Sequence, residues 1–223
     1  MPQVERTGKR RKAIIEAALA CFAEQGFSET TLEHIRVRSR ASTGSIYHHF
    51  RSKEQLAAAV YVEGVVDYQT GLLAELARHQ DARAGIAAMV RYYLRWVADH
   101  PEWARYLSRM RQAEFLEPTS ERLKELNRAL VREVSRWFEP HIRAGRLRNL
   151  PRDLYVALLL GPSQEFARQY LTSRARTDIE TASAVLADAT WRALEARHEP
   201  VLAPSTRKPK APHNGRKERR DGR

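Results

Sequence analysis

The sequence predicts an all-α protein: an N-terminal three-helix domain with a helix-turn-helix, then a larger C-terminal helical domain. Three observations carry this. Apolar residues recur at i, i+3, i+4 and i+7 along most of the chain. No segment sustains the apolar/polar alternation and β-branched enrichment of a strand. The breaks between the periodic segments are visible, most of them at a proline, a glycine or a capping residue.

The first helix is expected from about Lys9 to Gln25, with Ile14, Ile15, Ala18, Leu19 and Phe22 as its apolar stripe and Gly26 as its stop. Two short helices follow, roughly Thr31–Arg38 and Thr43–His49. A longer one starts at Ser52 and runs to about His79. The remaining helices read as 82–99, 102–116, 119–145, 151–174 and 178–197. Asp81, His100-Pro101, Pro118, the 145–151 stretch and Thr177-Asp178 separate them. Gly161-Pro162 lies inside the penultimate helix, where proline removes a backbone hydrogen bond and should kink it.

Composition narrows the class. The chain has 223 residues, 43% hydrophobic, which excludes wholesale disorder. Its one cysteine, Cys21, permits no intramolecular disulfide and no cysteine-rich zinc site. Met1–Lys12 has no apolar stretch of the signal-peptide kind, and the most apolar run, Tyr155–Gly161, is too short to span a bilayer. A soluble, cytoplasmic protein is expected. The net charge of +12 lies at the two ends: residues 1–53 and 199–223 each carry a net +5, and residues 54–198 only +2. Basic end segments suit a polyanion such as DNA, although solubility alone also explains charge. The last 24 residues hold four of the ten prolines and almost no bulky apolar group. A disordered basic tail is expected over 199–223.

The informative stretch is Phe27–Lys53. Thr30 followed by Glu33 reads as a capping box before Leu32 and Ile35. Ser42 is the cap candidate for the next helix, after the four-residue connection Ser39–Ser42. Two short helices joined this tightly behind a longer one make a helix-turn-helix. Ile35, Ile46 and Phe50 are expected inside. Thr43, Gly44, Ser45, Tyr47 and His48 are expected on the outer face. Small residues there admit close approach to bases, and hydroxyls and imidazoles bond base edges or phosphates.

Phe22-Ala23-Glu24-Gln25-Gly26-Phe27, Thr30-Thr31-Leu32, Ile35, and Ser42-Thr43-Gly44-Ser45-Ile46-Tyr47-His48-His49-Phe50-Arg51-Ser52-Lys53-Glu54-Gln55-Leu56 together resemble the DNA-binding domain of the TetR family, over about residues 9–60. The resemblance implies that Tyr47 and Lys53 meet phosphates. It implies that Thr43, Gly44, Ser45 and His48 lie on the recognition helix, and that Thr30 and Thr31 open the helix that meets the DNA backbone. It further implies two-fold dimers on a palindromic double-stranded operator, built through the last two helices, and a C-terminal half that binds a small-molecule effector. The turn departs from the family pattern: Arg36 replaces a small residue and Arg40 a glycine. Arg40 in a left-handed conformation costs roughly 1–2 kcal/mol. Arg36, Arg38 and Arg40 are either extra phosphate contacts or a solvated basic face.

The C-terminal half is rich in aromatics at helical spacing, most of them core. A subset, Trp96, Trp103, Tyr106 and Phe166, is the candidate lining of a ligand cavity. Cys21 reads as a small packing residue. His48-His49 makes a poor metal pair, because neighbours on a helix point about 100° apart. No Gly-rich phosphate loop, nucleophile elbow or HExxH motif is present, so no catalytic set, metal or cofactor is expected. The expected organisation is a DNA-binding domain over 1–53 and a ligand-binding and dimerisation domain over 54–198. The leading reading is a repressor released from its operator by a small molecule. The alternatives are a constitutive DNA binder without an effector, and an all-helical enzyme or carrier using the aromatic cavity.

Overall fold

The computed structural model of the protein describes residues 2–196, with side chains from residue 7 onward. The expected basic tail lies outside the described residues. Among them the chain forms nine α-helices: α1 Pro2–Glu29, α2 Leu32–Ser39, α3 Thr43–His49, α4 Lys53–Leu76, α5 Ala82–Asp99, α6 Pro101–Met110, α7 Ser120–Arg143, α8 Arg152–Leu171 and α9 Ile179–Leu194. A 3-10 helix, Glu114–Thr119, precedes α7, and an isolated bridge joins Leu147 to Glu195.

Each boundary has a local cause. Gly26 breaks α1 with φ +80°, a backbone state open to glycine and strained for other residues. Ser42, Ser52, Asp81 and Asp178 cap α3, α4, α5 and α9 by accepting from the backbone N–H three residues on. Two expectations shift. α1 starts at Pro2 rather than Lys9, since no breaker intervenes and proline is tolerated in a first turn. The helix expected over 102–116 stops at Met110, and after a short turn the chain winds as the 3-10 helix Glu114–Thr119, inside which Pro118 has no N–H to serve an α-helical bond. α8 continues through Gly161-Pro162 to Leu171.

Three buried clusters organise the molecule. The first joins the α1 stripe (Ile14, Ile15, Ala18, Leu19, Phe22) to Ile35, Ile46, Phe50, the first turns of α4 (Leu56, Ala57, Val60) and Tyr106 of α6. The second gathers Leu72 and Leu76 of α4, Ile86 and Met89 of α5, Phe138 of α7 and Leu159 of α8. The third packs α5 through Val90, Leu94 and Val97 against Ala104, Ala167 and Ala187. Each fully buried Ile or Leu contributes about 1.5–3 kcal/mol. α4 belongs to the first two clusters, so one rigid helix joins the helix-turn-helix to the C-terminal bundle.

Candidate DNA-binding interface and ligand cavity

The three positions expected inside the helix-turn-helix, Ile35, Ile46 and Phe50, are buried. They fix α3 so that its other face points outward. Thr43, Gly44 and His48 are exposed, Ser45 is half-buried, and Tyr47 keeps 55% of its surface in solvent. Tyr47 therefore stands clear of the core. A Cβ built on Gly44 meets nothing within 4 Å, so no intramolecular contact requires glycine there. His49, one residue on, faces partly inward. Burial, then His48 and Arg11, lowers its pKa below the usual histidine range and favours the neutral ring.

The opening of α2 differs from expectation. The cap is Thr31, not Thr30: the Thr31 hydroxyl accepts from the His34 N–H at 3.2 Å, and the Thr31 N–H donates to His34 Nδ1 at 3.4 Å. Thr31 is exposed, and its hydroxyl still has a proton to donate outward. Thr30 is 0% exposed and donates to the Gly26 carbonyl at 2.7 Å, with the Cys21 carbonyl at 3.2 Å. Its side chain closes the end of α1 and does not reach a DNA backbone. The turn takes the left-handed conformation anticipated for Arg40, with φ 51° and ψ 32°.

The basic residues near the turn divide into held and outward groups. Arg36 pairs with Glu33 at 2.6 Å and Arg38 with Glu24 at 2.6 Å, and these bonds draw both carboxyls below their ordinary pKa. Arg40 is exposed, and its carbonyl accepts from Arg10 at 3.4 Å. Lys53 is engaged within the protein. Its ammonium donates to the carbonyls of Phe27 at 2.8 Å and Ser28 at 3.1 Å, and sits 4.5 Å from the Phe27 ring centre. One of its three N–H groups remains for an outside acceptor. Cys21 is buried, which raises its thiol pKa and makes it a packing group.

The four aromatics expected to line a cavity are engaged in packing and internal hydrogen bonds, and none of them lines the cavity between α7 and α8. Trp96 is buried and donates from its indole to Asp67 at 2.8 Å. Trp103 lies against Gly64, where a Cβ would come within 2.5 Å of its ring. Tyr106 stacks on Phe22 and donates to the Ala57 carbonyl at 2.9 Å. Phe166 packs in the third cluster. Each ring fills space between helices or finds a polar partner inside.

A cavity lies between α7 and α8, with a volume of about 440 Å³. α7 lines it with Leu130, Val131, Val134, Phe138 and Ile142, and α8 with Tyr155, Val156, Leu159 and Leu160. Leu72 of α4 and Met89 of α5 form its floor, and Ser135, Glu139, Arg143, Asn149, Leu150 and Arg152 complete the wall. The signal for it was the four-residue spacing of Leu130, Val134, Phe138 and Ile142 on an otherwise charged helix. That stripe says which face turns inward, not that the space beyond is empty. Among the described residues no group of three or more His, Cys, Asp or Glu is placed to hold a metal ion.

The family model described as bacterial regulatory proteins, tetR family, matches residues 14–60. The chain is 30% identical over 146 residues to the HTH-type transcriptional repressor Rv1474c of Mycobacterium tuberculosis, covering 58% of this chain and 73% of that one. It is 32% identical over 117 residues to the HTH-type transcriptional repressor AcnR of Corynebacterium diphtheriae, spanning 44% of this chain and 62% of that relative's length. The fold matches the crystal structure of a TetR family transcription regulator from Marinobacter aquaeolei VT8 with a TM-score of 0.70 at 20% identity, covering 88% of this chain and all of the other. With the buried helix-turn-helix core, the outward α3 face and this likeness together, the chain belongs to the TetR family of bacterial regulatory proteins.

Proposed function

We propose that the protein is a ligand-responsive transcription repressor of the cytoplasm, a homodimer that binds a palindromic double-stranded operator and is released by a small molecule. The observation that carries this reading is the outer face of α3, where Thr43, Gly44, Tyr47 and His48 face solvent above a buried Ile46. An enzyme or carrier has no use for such a face. His48 and Ser45 serve as base readers, and Tyr47, Thr31 and the spare N–H of Lys53 as phosphate contacts. Among the described residues no helix is long and apolar enough to cross a membrane.

The dimer reading rests on α8 and α9. Leu154 is 46% and Val185 62% exposed, with Ala157 and Ala189 also open. Small and branched apolar residues on two neighbouring helices suit a self-complementary two-fold interface. The response reading rests on the α7–α8 cavity, whose floor includes Leu72 of α4. A ligand there presses on the helix that begins beside the recognition module, and so shifts the spacing of two recognition helices.

Genome-wide mapping of bound sites, followed by anisotropy titration on the recovered operator, tests the core claim. His48→Ala should change sequence preference by about 1–3 kcal/mol at one base position. Tyr47→Phe should weaken all sequences alike. A protein with no preferred site and no salt-dependent binding is not this regulator.

A further inference from the structure

The polar and apolar groups of the α7–α8 cavity are segregated. The deep wall is Leu72, Met89, Phe138 and Leu159, all buried. Four of its polar neighbours, Glu139, Arg143, Asn149 and Arg152, are exposed and so stand at the mouth, beside the exposed Val131 and Val156. The remaining hydroxyls offer little inside: Tyr155 already donates to the Arg148 carbonyl, and Ser135 is a single half-buried group. A ligand with polar groups spread along its body would lose hydrogen bonds on entry, at a cost that excludes it. A ligand with an apolar body and one polar end would lose none.

The mouth also has a sign. Arg143 is paired with Glu139, which cancels both charges. Of the charged lining groups Arg152 remains, at the first turn of α8, where the partial positive charge of the helix end adds to it; Asp153, the acidic residue of that turn, is not part of the lining. Asn149 supplies further hydrogen bonding to whatever lies there. A cationic head is disfavoured at such a mouth and an anionic one favoured. At ~30 Å³ for a water-sized group, the volume of about 440 Å³ holds a chain of about fifteen such groups.

From this geometry we propose that the effector is an anionic straight-chain amphiphile, a long fatty carboxylate or its acyl thioester, with its tail between α7 and α8 and its head at Arg152. This rests on the ligand-responsive reading above and names the ligand class that reading leaves open.

The test uses the full chain and four probes of one tail length below their micelle concentrations: palmitate, palmitoyl-CoA, 1-hexadecanol and hexadecyltrimethylammonium. Palmitate or palmitoyl-CoA should bind with 1:1 stoichiometry per chain, ahead of the alcohol and far ahead of the ammonium. Whichever of the two anions binds more tightly identifies the source. Arg152→Gln should weaken the anion about fivefold, the scale of an exposed ion pair, and leave 1-hexadecanol unchanged. Val134→Trp should abolish binding of all four by filling the space. Val156→Trp does the same from a position already 50% exposed, should the first variant fold poorly.

Absence of anion binding overturns the proposal, as does equal affinity for anion and alcohol with no effect of Arg152→Gln. Operator binding, followed in the same samples without ligand, separates the two levels. If it persists while no probe binds, only the ligand class fails. If it is absent, the regulator reading itself fails.

Discussion

Gly44 and Lys53 are two residues whose chemistry separates folding from binding. A glycine inside a helix costs up to ~1 kcal/mol relative to alanine, yet nothing in the protein occupies the space beside Gly44. The natural reason for its size is a surface that docks from outside. Gly44→Ala should therefore leave stability equal or slightly higher in urea titration, while operator affinity falls. Equal affinity in the variant would remove DNA as the reason for the glycine. Lys53 behaves the other way. Its ammonium closes two carbonyls at the end of α1, so Lys53→Ala should lower stability by about 1–2 kcal/mol as well as reduce the salt slope by about one. At Arg40, relief of the left-handed strain should make Arg40→Gly more stable by up to about 1 kcal/mol. That strain was legible from the glycine-like position of Arg40 in the sequence. The burial of Thr30 was not, because adjacent threonines compete for one cap, and only the three-dimensional end of α1 decides between them.

Among the helices, α7 connects cavity to lever. It supplies more of the apolar lining than any other helix, and its Asn127 accepts a hydrogen bond from Gln69 of α4 at 2.9 Å, Gln69 being buried. Asn127→Leu leaves the Gln69 amide without a partner and should cost about 1–3 kcal/mol. Replacing both by leucine should recover most of that loss. If this bond transmits motion of α7 to α4, the double variant should keep its DNA affinity but release the operator less completely when ligand is added. Unaltered release in that variant would place the coupling elsewhere. The existence and order of the helices could be read from the periodicity and breaks of the chain: the breaks at Asp81 and Asp178 are where α5 and α9 are capped. The cavity could not, because periodicity marks a buried face and is silent about how well that face is filled. The aromatics at Trp96, Trp103 and Tyr106 looked like a lining for that reason, and the polar edges of Trp96 and Tyr106 are instead satisfied by Asp67 and Ala57 within the packed interior.

At the scale of the whole molecule, two buried or half-buried histidines among the described residues, His49 and His141, have depressed pKa values. Burial is the first cause at both; His48 and Arg11 add at His49, and Arg146 at His141. The unfolded chain, with histidines near 6.5, binds more protons than the folded one below that pH. Stability is then highest above pH 6.5 and falls as the solution is acidified through the lowered values. Urea midpoints measured between pH 7.5 and 5 should decline, and His141→Gln should flatten part of the decline. Assembly is read at the same scale. Sedimentation at micromolar concentration should give twice the chain mass, and Val185→Glu on the open face of α9 should shift it toward the monomer. A wild-type monomer would contradict the two-fold reading.

Tyr106 bears on modularity. It comes from α6, far beyond the helix-turn-helix in the chain, yet it stacks on Phe22 and bonds the Ala57 carbonyl within the first core. A chimera that splices residues 1–60 onto another regulator's sensory half inherits a gap where that ring stood. Recombination at this boundary succeeds only if the new sensory half offers an aromatic of similar reach. An engineer who wants this operator specificity under foreign control should transplant the phenol along with the reading head.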